Sequence, residues 1–255
     1  MKVAVFTQGK LPPKNEDAYA QNESTFIVCD GSTSKKDVLY DGKTGGEMAS
    51  QLLLETAINC SLNGKELIDE LSATLLSRRK ELGAMDDDVE FGAVLVCVRV
   101  VGDELIVTQV GDTAFRVNAQ DEYTNSPLIC DFMASTRAQY IQATGDVAGG
   151  REYILPLLET EHKYRNNAAS PVGYGEVNGT PVPDKFVKTF TFKRSEVKTI
   201  EIYTDGYYAV PPKPTIEAFE QLHTQVEKED PDKWKKYLST KSRDDRTVMV
   251  VDFSA

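Results

Sequence analysis

Short apolar runs rich in β-branched residues alternate with polar turns along much of the chain, and this pattern predicts β-strands. The predicted strands cover residues 3–7, 25–29, 91–101, 104–110, 113–118, 186–192, 199–204 and 247–253. Gly102-Asp103 separates two of these runs and indicates a β-hairpin. We expect the strand that follows the hairpin to extend it into a meander.

Apolar residues at helical spacing predict four helices, over residues 46–60, 67–82, 216–226 and 234–238. The resulting order is strands, two helices, strands, two helices and a final strand. This order lacks the regular βαβα alternation of a parallel sheet. We therefore expect an α+β domain in which antiparallel sheets carry helices on their outer faces.

Residues from about 120 to 184 interrupt this pattern, because the stretch is rich in glycine and proline. Loops of this length are usually functional or disordered. We interpret the stretch as a long, partly structured insertion and expect residues 1–255 to form one domain around it.

Composition narrows the classes of function. The net charge of −11 argues against a nucleic-acid partner, because phosphate binding needs basic patches. No apolar run approaches the roughly 20 residues that a membrane span needs. The four cysteines show no short-spaced pair, and Cys29 and Cys97 fall inside predicted strands. We expect a cytoplasmic protein that binds neither membranes nor nucleic acid.

Acidic residues recur at the edges of the predicted strands. They are Glu16-Asp17, Asp30-Gly31, Gly111-Asp112, Asp205-Gly206 and Asp244-Asp245. A sheet holds side chains at strand ends, so distant carboxylates can converge, and converging carboxylates repel one another unless a cation neutralises them. The pattern predicts a divalent-metal site and hydrolytic chemistry. The two histidines, His162 and His223, lie away from every acidic point, which fits an all-oxygen site.

Each acidic pair alone also has an ordinary interpretation as a strand-ending turn, where Asp and Gly are common. The argument for a metal site therefore depends on the whole series. Asp41-Gly42 competes with Asp30-Gly31, and we favour Asp30 because it follows the better buried strand. Either Asp244 or Asp245 could be the metal ligand, and the register favours Asp244.

The order and spacing of these motifs resemble those of the metal-dependent protein Ser/Thr phosphatases of the protein phosphatase 2C type. The segments that carry the resemblance are Asn15-Glu16-Asp17, Asp30-Gly31, Gly45-Gly46-Glu47-Met48-Ala49-Ser50, Gly111-Asp112-Thr113, Thr204-Asp205-Gly206 and Asp244-Asp245-Arg246-Thr247-Val248. They extend over about residues 2–118 and 186–253. The resemblance implies a four-layer α-β-β-α sandwich, with two central antiparallel sheets flanked by helices.

The resemblance also implies a binuclear site for Mg²⁺ or Mn²⁺ at one end of the sandwich. Asp205 and Asp244 would hold the first ion, Glu16 and the backbone carbonyl of Gly31 would hold the second, and Asp30 would bridge the two. A hydroxide shared by the ions would attack phosphorus in line, so no protein nucleophile is needed.

Two more carboxylates take roles by the same resemblance. Asp17 would orient metal-bound water, which makes Asp17, Asp30 and Asp205 the candidate catalytic residues. Asp112 would help Asp205 to bind a third, weaker ion. Whether a third ion binds is left open, because Ala209 stands where metal-binding members of the family often carry an acidic residue.

The chain departs from the family at the phosphate-binding position. Many members carry an Arg about four residues before the Glu-Asp pair, and Pro12 stands there in this chain. Lys10 or Lys14 could replace it, although Lys lacks the bidentate fork of Arg. The insertion at about 120–184 does not match the usual flap of the family, and we expect it to cover one side of the site and to select the substrate.

The resemblance predicts a monomeric signalling phosphatase that acts on phosphoserine and phosphothreonine in proteins and opposes a Ser/Thr kinase. Two alternatives stay open. One is a phosphatase-like binding module with weak or no turnover, which the missing Arg motivates. The other is a hydrolase of a small phosphorylated metabolite, since its site would need the same chemistry.

Overall fold

The computed structural model describes residues 1–36, 38–86 and 90–254, which form ten strands and five α-helices. The strands are β1 (Lys2–Gln8), β2 (Ala18–Gln21), β3 (Thr25–Gly31), β4 (Ala93–Val101), β5 (Glu104–Val110), β6 (Ala114–Val117), β7 (Asp121–Tyr123), β8 (Lys188–Lys193), β9 (Thr199–Tyr203) and β10 (Arg246–Asp252). The helices are α1 (Gly45–Ile58), α2 (Gly64–Leu82), α3 (Leu128–Thr144), α4 (Gly149–Thr160) and α5 (Ile216–Glu229).

The strands form two five-stranded antiparallel sheets, with the orders β1-β10-β9-β6-β7 and β2-β3-β4-β5-β8. Side chains from both sheets interdigitate between them; Phe26 and Val28 of β3 meet this core, as do Met249 and Val251 of β10. The α+β sandwich predicted from the sequence is confirmed.

Helices cover the outer face of each sheet and complete the four layers. Ile27 and Cys29, which alternate with the core residues of β3, pack instead under α1 and α2. Val248 and Val250 of β10 pack in the same way against Phe219 of α5. Successive residues of a strand point to opposite faces, so a strand covered on both faces is apolar throughout. This double covering explains the continuous apolar runs in the sequence.

The predicted meander is wrong at its third strand. β6 does not continue from β5 but crosses to the other sheet, where it pairs with β9 and β7. Gly111 makes the exit possible, because its φ of +78° lies in the left-handed region that favours glycine. The connection places Asp112 between the two sheets rather than in a hairpin turn.

The insertion is more regular than predicted, because α3 and α4 form an antiparallel pair within it. The short helix predicted over 234–238 is absent from the described residues, where that stretch forms bends. Arg137 of α3 links these two regions, because its guanidinium donates to the carbonyl oxygens of Asp232 (3.0 Å), Lys233 (3.2 Å) and Ser239 (3.1 Å). These hydrogen bonds hold residues 232–239 in an irregular conformation instead of a helix. The α3–α4 pair thus packs against an irregular backbone segment, residues 230–242, which we call the anchored loop.

Within the described residues, no helix is long and apolar enough to cross a membrane.

Candidate active site

Strand direction brings the acidic points of the sequence to one edge of the sandwich. In the second sheet, β2 begins where the antiparallel β3 ends, and β5 ends on the same side as β3. In the first sheet, β9 ends beside the start of β10 and beside the start of β6. The acidic residues lie at these positions, namely Glu16 and Asp17 before β2, Asp30 in β3, Asp112 after β5, Asp205 after β9, and Asp244 and Asp245 before β10.

Asp30 and Gly31 are the last two residues of β3 rather than a turn after it. A Cβ on Gly31 would lie 2.5 Å from the carbonyl oxygen of Gly46 and 2.6 Å from that of Glu16. Glycine at this position therefore lets the start of α1 and the loop before β2 close tightly around the Gly31 backbone. Burial, followed by the nearby carboxylates of Asp17 and Asp205, raises the pKa of Asp30 well above its usual range.

Glu16 is buried and held by three donors. Thr44, the N-cap of α1, donates its hydroxyl to Oε1 (2.7 Å), and Thr33 donates to Oε2 (2.7 Å). The ammonium of Lys10 also donates to Oε2 (2.9 Å) and to the Thr33 hydroxyl (2.8 Å). These contacts fix the Glu16 carboxylate beside the first turn of α1. No separate pattern in the sequence indicated Thr33 or Thr44 as site residues.

Asp17 is also buried, and one of its oxygens is left free. The hydroxyl of Thr204 donates to Asp17 Oδ2 (2.8 Å) and itself accepts from the backbone N–H of Thr247 (2.9 Å). Asp17 Oδ1 has no hydrogen-bond partner among the described residues. A buried acceptor left unpaired is costly, so this oxygen is a candidate to receive a cation or a water molecule.

Asp112 and Asp244 approach the same point from different sheets. Burial raises the pKa of each to about 6. For Asp244 the ammonium of Lys241 acts in the opposite direction, and the carboxylate of Asp205 adds to the rise. Closely spaced carboxylates repel one another when all are ionised, and a bound divalent cation would remove this repulsion.

Lys241 is a charged site residue that the sequence analysis missed, in addition to Thr33 and Thr44. Its ammonium forms an ion pair with Asp244 Oδ2. Burial opposes the charge of Lys241, but the carboxylates of Asp244, Asp205 and Asp30 outweigh it and hold its pKa well above the ordinary value. The sole signal in the sequence was a lysine three residues before Asp244, which is too common a spacing to interpret alone.

Asp244 and Asp245 have different surroundings. Asp245 accepts from the backbone N–H groups of Lys10 (2.6 Å) and Glu16 (3.2 Å), so it clamps the loop between β1 and β2. Asp244 instead faces Lys241 and the carboxylate of Asp205. Both carboxylates are buried near Asp17 and share the ammonium of Lys10, so the preference for Asp244 as the metal ligand stays a prediction.

The remaining candidates lie further out. Lys14 is exposed on the loop between β1 and β2, and Pro12 is exposed in the same loop. Asp41, the competing Asp-Gly position, is exposed and pairs with Arg78 (3.2 Å). Ala209 lines the cleft described below.

Three of these carboxylates, those of Asp30, Asp112 and Asp205, line a cleft of about 430 Å³ together with Lys241. The insertion contributes further residues to its lining, including Arg151 of α4. A second depression of about 450 Å³ is lined by Glu16 and by both proposed substrate lysines, Lys10 and Lys14. Thr33 lines both depressions.

The donor set fits a hard divalent cation, because the converging groups are carboxylates and one of their buried oxygens, Asp17 Oδ1, is unpaired. Among residues 1–36, 38–86 and 90–254, however, no group of three or more His, Cys, Asp or Glu side chains stands arranged to hold a metal ion. The carboxylates most directly concerned are engaged with the ammonium groups of Lys10 and Lys241.

The profile of the protein phosphatase 2C family matches residues 13–239. That match spans most of the chain, so the protein belongs to the protein phosphatase 2C family. The matched residues include Glu16, Asp30, Asp112 and Asp205, whereas Asp244 lies beyond them. Comparison with curated protein sequences finds no match.

Solved structures of bacterial phosphatases have the same fold. Serine/threonine phosphatase Stp1 from Staphylococcus aureus is 16% identical with a TM-score of 0.57, over 100% of this chain and 95% of that one. The Mycobacterium tuberculosis serine/threonine phosphatase PstP/Ppp is 16% identical with a TM-score of 0.54, over 100% of this chain and 99% of that one. The catalytic domain of PstP, in complex with 2 manganese ions, is 14% identical with a TM-score of 0.55, over 98% and 97% of the two chains. At these identities the likeness establishes the fold.

Proposed function

We propose that the protein hydrolyses phosphoserine and phosphothreonine monoesters in proteins, with Mn²⁺ or Mg²⁺ as its cofactor. The observation that carries the proposal is the convergence of carboxylates from both sheets on one cleft. Asp30 belongs to this group, because burial and then the carboxylates of Asp17, Asp205, Asp244 and Asp112 all raise its pKa. Membership of the protein phosphatase 2C family supports the same reaction.

In this proposal Asp205 and Asp244 would hold one ion, Glu16 and the carbonyl of Gly31 would hold another, and Asp30 would serve as a ligand for both. Two divalent cations, when bound, would supply an activated water and neutralise the phosphoryl oxygens. A third ion at Asp112 stays a weaker part of the proposal, because Ala209 offers no ligand oxygen from its side chain.

The protein's own groups then orient the reactants. Thr204 fixes one oxygen of Asp17, so the free Oδ1 points its lone pairs at a defined place and can accept a proton from water held there. Thr33 and Thr44 hold Glu16 in one orientation. Positioning of this kind lowers the entropy that must be lost on the way to the transition state.

The insertion, residues 120–184, is proposed to recognise the phosphoprotein, because its helices form one wall of the cleft. Lys14 is exposed beside the second depression and is available to a substrate, whereas Lys10 is engaged by Glu16 and Asp245. A monomeric state, a cytoplasmic location and an opposing Ser/Thr kinase belong to the same proposal.

The test is hydrolysis of p-nitrophenyl phosphate and of a phosphothreonine peptide with Mn²⁺, with Mg²⁺ and with EDTA. We expect turnover with metal, none with EDTA, and a loss of about 100-fold or more in Asp30→Asn and Asp205→Asn. Asp41→Asn is the matched control, since it makes the same change at an exposed Asp-Gly pair.

Three outcomes would contradict parts of the proposal. Turnover in EDTA would remove the metal. Faster hydrolysis of sugar phosphates than of phosphopeptides would remove the protein substrate. A folded protein without turnover under any of these conditions would instead support the phosphatase-like binding module.

A further inference from the structure

Two lysines reach into the carboxylate site from different parts of the chain. The ammonium of Lys241 pairs with Asp244 Oδ2, and that of Lys10 lies 3.9 Å from Asp244 Oδ1. Asp244 is thus placed between two cations, one on each of its oxygens. Lys10 also has Glu16 (2.9 Å) and Asp245 (3.1 Å) as partners. For Lys241, Asp244 is the carboxylate at ion-pair distance within the part of the chain that the structure describes.

We propose that Lys241 is a built-in counter-ion of the carboxylate site, which a divalent cation must displace from Asp244 in order to bind. The proposal rests on the proposed function in its choice of Mn²⁺ or Mg²⁺ as the cation. It concerns binding rather than turnover. Lys241 therefore sets the metal concentration at which the site fills.

Competition follows from charge and from geometry. The ammonium holds an oxygen of Asp244 that a metal ion would need. A unit positive charge left about 4 Å from a divalent cation would weaken its binding by several orders of magnitude at the effective dielectric of a protein. The two cations cannot share the position, so the ammonium must leave when the metal arrives.

The residues on both sides of Lys241 are anchored, Thr240 through its backbone and Ser242 through its side chain, so the movement falls on the Lys241 side chain. Arg151 of α4 donates to the carbonyl oxygen of Thr240 (2.8 Å), and Arg137 of α3 donates to the hydroxyl of Ser242 (3.2 Å). Lys241 itself lines the cleft of about 430 Å³, which gives its flexible four-carbon side chain room to turn away. The α3–α4 pair therefore keeps the counter-ion within reach of the site in both positions.

The size of the effect follows from what the metal must break. A close contact between an ammonium and a buried carboxylate contributes on the order of 1.5–3 kcal/mol, which corresponds to about 10- to 150-fold in an equilibrium constant. Replacing Lys241 with methionine keeps most of the apolar side chain and removes the ammonium. We expect Lys241→Met to bind Mn²⁺ at least about tenfold more tightly than the unmodified protein.

The experiment is calorimetric titration of the EDTA-treated, dialysed full chain with MnCl₂. Lys236→Met is the matched control, because Lys236 lies on the same loop, makes an exposed ion pair with Glu229 (2.7 Å) and changes the net charge equally. We expect its affinity for Mn²⁺ to stay within about twofold of the unmodified protein. Trp234, the single tryptophan, lies on this loop and gives an independent fluorescence readout of the titration.

Removing the ammonium in Lys241→Met leaves Asp244 with Lys10 as its remaining lysine neighbour, so the metal-free variant is a test case for misfolding and needs a second variant beside it. Lys241→Arg is the second variant: it keeps the charge, so its affinity should equal or fall below that of the unmodified protein. Unchanged or weaker binding in Lys241→Met, or tighter binding in Lys241→Arg, would overturn the proposal, and so would a lack of metal binding in all variants.

The calorimetry separates this proposal from the phosphatase. Tighter binding in Lys241→Met without phosphopeptide hydrolysis would support the counter-ion and refute the phosphatase. Hydrolysis with an unchanged affinity would support the phosphatase and refute the counter-ion.

Discussion

Arg137 offers a sharp test of how the insertion supports the active site. Its side chain is almost fully buried, at 2% exposure, and donates to three backbone carbonyls and to the hydroxyl of Ser242. All four acceptors belong to the anchored loop, which leads directly to Asp244. Arg137→Met keeps the apolar part of the side chain and removes every one of these donors.

The expected cost can be worked from these contacts. Nη1 has two hydrogens, which its three carbonyl acceptors share, and Nη2 donates to Ser242, so the side chain makes about three full hydrogen bonds. At about 1.5 kcal/mol for each bond to a charged group, they contribute about 4–5 kcal/mol together. Relief from burying the guanidinium offsets part of this, as it does when other buried charges are replaced. We expect a net loss of about 3 kcal/mol in the free energy of unfolding, or roughly 6–12 °C in Tm.

The assay is urea unfolding followed by circular dichroism and by the fluorescence of Trp234, together with amide hydrogen exchange over residues 232–242. We expect faster exchange in that segment, because its carbonyls have lost their donor. Arg78→Met is the control: Arg78 is more exposed, and its pairs with Asp41 and Glu81 should contribute under about 0.5 kcal/mol. A loss below about 1 kcal/mol in Arg137→Met with unchanged exchange would refute the anchoring role.

Three further predictions concern other parts of the fold. Gly111→Ala should lower the free energy of unfolding in urea by more than about 2 kcal/mol, because the φ of Gly111 is +78° and the new Cβ would lie 2.1 Å from the side chain of Val94. Gly102→Ala is the control and should cost about 1 kcal/mol, because Gly102 has a φ of +57° but open space around it. Equal losses in the two variants would remove the steric argument. Cys29 and Cys97 should resist a thiol reagent at pH 8 until the protein is unfolded, because both thiols are buried. Burial raises the pKa of both, to about 12 for Cys97, and the reactive thiolate forms only as the pH approaches the pKa. Labelling of either cysteine in the native protein, detected by mass spectrometry, would contradict this prediction. Asp245→Ala should lower the free energy of unfolding by about 2–3 kcal/mol, because the backbone amides of Lys10 and Glu16 lose their acceptor. Asp245→Asn keeps one acceptor oxygen and should therefore lose less stability, as measured by thermal unfolding. The reverse order would show that the charge of Asp245 matters more than its hydrogen bonds.

The sandwich could be predicted from the sequence because its strands obey a local rule. β3 and β10 each contain a continuous apolar run, residues 26–29 and 248–251, and α1 and α2 repeat apolar residues at helical spacing, so neighbouring residues alone identify them. The crossing of β6 to the other sheet could not be read in this way. Pairing partners of a strand are set by the whole sheet, and a short run such as Ala114–Val117 is equally compatible with either one.

The insertion escaped prediction because its helices show apolar residues on more than one face. α3 buries apolar residues such as Met133 and Ile141 at helical spacing, but it also exposes Leu128 and Phe132 and buries the charged Arg137. α4 contains Pro156 and exposes Tyr153, although it buries Ile154 and Leu158. The apolar stripe that packs these two helices together is therefore hard to recognise in the sequence.

The candidate site also contains both residues that local sequence patterns indicate and residues that they do not. The positions of Asp30, Asp112 and Asp205 follow from strand ends, which the sequence indicates. Lys241 reaches the site only through the fold of the anchored loop, and that fold depends on Arg137, about a hundred residues earlier in the chain. Local patterns carry no information about a contact of that kind.

The pairing of β1 with β10 constrains how the protein can fold as it is synthesised. β1 lies at the edge of its sheet, and Lys2 pairs with Asp252, so this first strand has no neighbour until the last one has been made. Elongation at about 5–20 residues per second implies a wait of roughly 10–50 s. Throughout that time Val3 and Val5, which later pack against the core between the sheets, are exposed to other chains and to chaperones. Because Asp244 directly precedes β10, the carboxylate cluster is also completed only after this strand has been made, and a nascent chain that stops before Asp244 is expected to be inert.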